Sequence, residues 1–61
     1  MDENKIATAV QACINKAITS GKPFRSINEY LAMLKRQNWT DTERVEVQTR
    51  VLGQLKRIRS P

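Results

Sequence analysis

Hydrophobic positions recur along this chain with the period of an α-helix, in three blocks separated by two short polar breaks. In the first block Ile6, Val10, Cys13, Ile14, Ala17 and Ile18 fall at the i, i+4, i+7, i+8 spacing that lines one helical face. Lys5, Thr8, Gln11, Asn15 and Thr19 fall mostly elsewhere. Gly21 can take the left-handed backbone conformation that closes a helix, and Pro23 prevents its resumption. No strand-like alternation, internal repeat or low-complexity tract interrupts this pattern.

Two capping signatures mark the next starts. Ser26-Ile27-Asn28-Glu29 and Thr40-Asp41-Thr42-Glu43 each place a hydroxyl at the cap and a glutamate three residues on, so that each can satisfy the other's backbone N–H. The second helix is then expected to bury Ile27, Tyr30, Leu31 and Leu34. The third should bury Val47, Val51, Leu55 and Ile58, with Val45 and Leu52 beside that stripe and Trp39 in the preceding break. The pattern predicts an all-α fold, a small three-helix bundle with helices over about residues 4–20, 27–37 and 41–58 and neighbours roughly antiparallel. Residues 1–61 would form a single domain, fraying at 1–3 and 59–61.

Size constrains what such a bundle can do. Ordering each residue costs about 1–2 kcal/mol of backbone entropy, while a fully buried large apolar side chain returns about 1.5–3 kcal/mol. With 61 residues, 39% hydrophobic, no histidine and one cysteine, the chain has no metal or disulfide framework to supplement its core. Self-association is the remaining staple, which makes a homodimer an alternative to the monomer. The lone Cys13 fits a reducing cytoplasm better than an oxidising compartment. No export signal and no span of about 18 apolar residues is present, so no membrane partner is expected.

Enzymatic chemistry finds little material. General acid–base and nucleophilic catalysis need a nucleophile or tuned titratable group beside a second polar group. Cys13 instead lies on an apolar stripe, where a thiol is inert packing. Asp41 and Glu43 are accounted for by the start of the third helix, where negative charge complements the dipole. Glu46 and Arg50 can pair across one turn. Neither a phosphate loop nor metal-ligand spacing occurs, so no enzyme activity, cofactor, metal or small-molecule substrate is expected.

Charge is more informative. Eleven Lys and Arg against six Asp and Glu give a net charge of +5, which favours acidic partners, nucleic acid above all, through counterion release. In an up-down-up bundle the end of the first helix, the start of the second and the end of the third share one pole. Lys22, Arg25, Lys56, Arg57 and Arg59 would gather there, with Lys16 one turn away, Glu29 as the nearest acid and Phe24 as an aromatic surface. The bland alternative is that such cations complement helix dipoles and solvate a surface. A second candidate surface places Arg50, Gly53 and Arg57 on one face, where the missing side chain would let a phosphate backbone or another helix approach.

The leading expectation is therefore a small regulatory module of the kind found among bacterial or phage accessory proteins, with a basic pole that contacts nucleic acid non-specifically. The competing expectation is a protein–protein interaction module whose charge provides solubility, with Phe24, Met33, Trp39 and Val47 as the partner-binding residues. A helix-turn-helix arrangement of the last two helices is weaker. Its groove-entering end would begin Asp41-Thr42-Glu43, whose carboxylates repel phosphates and leave Thr42, Arg44 and Gln48 to read bases.

Overall fold

The computed structural model describes residues 2–59, without the side chains of Ile58 and Arg59. Three helices follow in order, α1 (Glu3–Ser20), α2 (Pro23–Arg36) and α3 (Asp41–Arg59), and they form the expected small all-α three-helix bundle. The molecule measures 35 × 20 × 15 Å along its principal axes. α1 packs against both other helices, and α2 and α3 touch each other less extensively.

Both ends of α1 and α2 and the start of α3 have local causes. Asp2 caps α1, with its carboxylate accepting from the backbone N–H of Asn4 at 3.0 Å and of Lys5 at 3.3 Å. Glu3 is the first helical residue. Gly21 closes α1 in the left-handed conformation at φ 72°. α2 ends in a Schellman motif, in which Asn38 at φ 67° takes the left-handed position. The Asn38 N–H reaches the Lys35 carbonyl at 3.1 Å and the Trp39 N–H reaches that of Leu34 at 3.1 Å.

One predicted start is corrected. α2 begins at Pro23, not Ile27, because the proline ring presets a helical φ and its missing N–H falls where no intrahelical bond is needed. Ser26 thereby becomes an interior position of the first turns rather than a cap. It is buried, and its hydroxyl meets that of Ser20 at 2.6 Å. Ser20 also donates to the Ala17 carbonyl at 3.2 Å and accepts from the Lys22 N–H at 3.1 Å, so hydroxyls tie α1 to α2 across the turn. The second capping box forms as predicted. The Glu43 N–H donates to Thr40 Oγ1 at 3.2 Å, and the Thr40 N–H donates to Glu43 Oε1 at 3.0 Å.

The core consists of Ile6, Ala9, Val10, Cys13 and Ile14 from α1, Ile27 and Leu34 from α2, and Val47 and Val51 from α3. Tyr30, Leu31, Met33, Trp39 and Leu55 pack around it, partly buried. Ile18 departs from the predicted stripe and is exposed, because it stands about 100° around the helix from the buried Ala17. Val45 and Leu52 are also exposed. The prediction that Ile58 joins the core lies outside the described residues.

Candidate functional site

The pole where α1 ends, α2 starts and α3 ends is assembled by specific contacts. Ser20 and Ser26 join the first two helices there. A hollow of about 230 Å³ lies between Pro23 and Phe24 of α2 and Leu52, Leu55 and Lys56 of α3. Lys22 is the N-cap of α2 and Arg25 lies in its first turn, both exposed. Arg57 is exposed beside Lys56, and Arg59 closes α3, with its side chain outside the described residues. Arg25 comes within 3.9 Å of Glu29, and both side chains are largely solvated.

Charge is divided unevenly along the molecule. Lys5, Lys35, Arg36, Arg44 and Arg50 are matched in number by Asp2, Glu3, Asp41, Glu43 and Glu46. Lys16, Lys22, Arg25, Lys56, Arg57 and Arg59 have Glu29 as their one counterpart, so the net charge of +5 belongs entirely to this end. Dipole compensation explains part of it, because Lys56, Arg57 and Arg59 stand in the final turns of α3, where cations are favoured. It does not explain Lys22 and Arg25. These stand at the N-terminus of α2, whose first turn holds no acid, and there a cation opposes the dipole.

Seven residues of the balanced remainder form ion pairs. Lys5 Nζ lies 3.0 Å from Glu43 Oε2 and 4.3 Å from the centroid of the Trp39 ring, so one ammonium meets both a carboxylate and an aromatic face. The Thr40 backbone N–H, and after it the Lys5 ammonium, holds the Glu43 carboxyl below its ordinary pKa. Asp41 pairs with Arg44 across one turn. Arg50 bridges Glu3, at 3.0 Å from Nη2, and Glu46, at 3.1 Å from Nε. Those carboxylates, Glu3 first, raise the guanidinium pKa further, and Arg50 in turn lowers that of Glu3.

Several expected site residues have partners or burial within the bundle. Arg50, expected as a phosphate contact, pairs with the carboxylates of Glu3 and Glu46. Val47, proposed for partner binding, is fully buried because its position on α3 faces α1 and α2. Met33 and Trp39 pack partly buried on the core, and Trp39 also sits against Lys5. Phe24 is 62% exposed at the rim of the largely apolar hollow that Lys56 borders. The exposed apolar residues that sequence reasoning did not assign to a surface are Ile18, Val45 and Leu52. A helical-wheel placement could have found two of them, since Val45 and Leu52 fall roughly 100–160° around the helix from Val47 and Val51.

Cys13 is buried, and its burial raises the thiol pKa, which suits packing rather than nucleophilic attack. Burial likewise raises the Tyr30 phenol, with Cys13 adding to the shift. Among the described residues no cluster of His, Cys, Asp and Glu could hold a metal ion, and no helix is long and apolar enough to cross a membrane. Compared with protein-family models, curated proteins and solved structures, the chain matches none.

Proposed function

We propose that this chain is a small, non-enzymatic regulatory binding module whose basic pole contacts the phosphates of nucleic acid without reading sequence. The observation that carries this reading is the segregation of the whole net charge to one end, including two cations placed against the dipole of their own helix. Charges held at a local cost are better explained by an external anion than by stability of the helix that bears them. Phosphate contacts of this kind position a duplex but carry no sequence information.

A salt titration with labelled random-sequence duplex tests it. Lys22, Arg25, Lys56, Arg57 and Arg59 allow four or five phosphate contacts, so log affinity should fall against log salt with a slope of about −4. Paired reversal, Arg57→Glu with Arg59→Glu, should abolish binding at low salt and leave the helical circular dichroism unchanged. No binding by the parent chain at low salt, or unchanged affinity in the reversed variant, refutes the reading. One observation favours a second reading, an acidic protein partner: the exposed Phe24 and Leu52 form an apolar rim among the same cations. Absence of duplex binding at low salt would move the choice to that partner.

A further inference from the structure

α3 carries apolar side chains on two faces, separated by roughly 100–160° around the helix. Val47 and Val51 are sealed in the core, whereas Val45 and Leu52, seven residues and two turns apart, face outward at 58% and 36% exposure. Thr42 and Thr49 continue the outer stripe at helical spacing. Single exposed apolar residues are ordinary, but these two are joined to the shallow groove that α3 forms with α2. At one end Leu52 borders the hollow with Phe24 and Leu55, and at the other Val45 borders one with Leu31 and Gln48. The outer face of α3 thus has the periodicity of a packed face, on a chain whose small core leaves stability to be supplied by association.

Charge selects the occupant. α3 opens with Asp41, Glu43 and Glu46 and closes with Lys56 and Arg57, so the helix is acidic at one end and basic at the other. A parallel copy would set like charge against like. An antiparallel copy in which Val45 faces Leu52 places Gln48 opposite Thr49 and Asp41 opposite Lys56 in the same register. One alignment therefore satisfies the apolar and the charged positions together, twice over about a two-fold axis. Gly53 adds room, since nothing stands within 4 Å of where its Cβ would be. We infer that the outward face of α3, with its groove against α2, is a self-association surface on which a second copy of this chain packs antiparallel.

Sedimentation equilibrium between about 1 μM and 1 mM reads this directly, the range in which an interface of small area associates. The parent chain should shift from monomer to dimer, and Val45→Glu or Leu52→Glu should raise the dissociation constant by about tenfold or more through a buried unpaired charge. Both positions are exposed in the monomer, so helical circular dichroism should be retained. Asp41→Lys and Lys56→Glu should each weaken the homodimer by about two- to tenfold. Mixing those two variants, or combining both substitutions in one chain, should restore association. A parent chain that remains monomeric at about 1 mM overturns the inference, as does failure of the charge swap to restore pairing.

Discussion

Val45 and Val47 stand two residues apart on α3 in opposite environments, and truncating each to alanine tests the division between core and surface that every later step uses. Val47 has no exposed surface. Val47→Ala removes two buried methyl groups, about 1.6 kcal/mol by transfer, and the cavity left between α1, α2 and α3 brings the loss to about 2–3 kcal/mol. A chain of this size has a stability of about 3–9 kcal/mol, so that loss is a large part of the whole. It corresponds to a fall in Tm of about 10–20 °C. Val45→Ala removes the same groups from solvent and improves helix propensity, so its effect should lie within about 0.5 kcal/mol of zero. Urea and thermal unfolding followed by circular dichroism, at protein concentrations too low for self-association, measure both. Equal midpoints for the two variants, or a larger loss for Val45→Ala, would refute the assignment of these faces.

Two glycines should respond to the same substitution with opposite sign. Gly21→Ala should cost about 1 kcal/mol, because a Cβ is strained at φ 72° even where it meets no neighbour. Gly53→Ala, in a helix interior with open space around it, should add about 1 kcal/mol of monomer stability, read from urea midpoints. Acid should destabilise the fold. The carboxyls of Glu3 and Glu43 have folded pKa values below the ordinary 4.5, so their contribution is present above that value and is lost as pH falls through the lowered ones. Glu43→Gln keeps the capping geometry while removing the charge opposite Lys5, and its Tm should fall less steeply than the parent's below pH 4.5; an unchanged slope would remove Glu43 from the acid response.

Local signals in the sequence reached the structure where one physical effect dominated. The Thr40–Glu43 box formed because no competing constraint stands before it, and Gly21 ended α1 because only glycine takes that conformation without cost. Ser26–Glu29 carried an equal signature and failed, because Pro23 had already started the helix and so turned Ser26 toward Ser20. Periodicity found Ile6, Val10, Cys13 and Ile14 and set Val47 on the buried stripe of α3, yet it left Val47 a candidate partner contact as well. That choice depends on which of two apolar stripes on α3 meets α1, which is a tertiary fact. The basic end was legible because chain order alone brings three helix ends together. The pairing of Arg50 with Glu3, 47 residues apart, was not.

Trp39, the one tryptophan of the chain, lies in the α2–α3 link, at the far end of the bundle from Lys22 and Arg57. Its ring is covered by the Lys5 ammonium from the first turn of α1. Intrinsic fluorescence excited at the indole is therefore a reporter of whether that turn is seated, and it is insulated from events at the cationic tip. During a titration with duplex its emission should stay constant while an extrinsic dye near Phe24 responds, which gives the molecule a built-in internal standard.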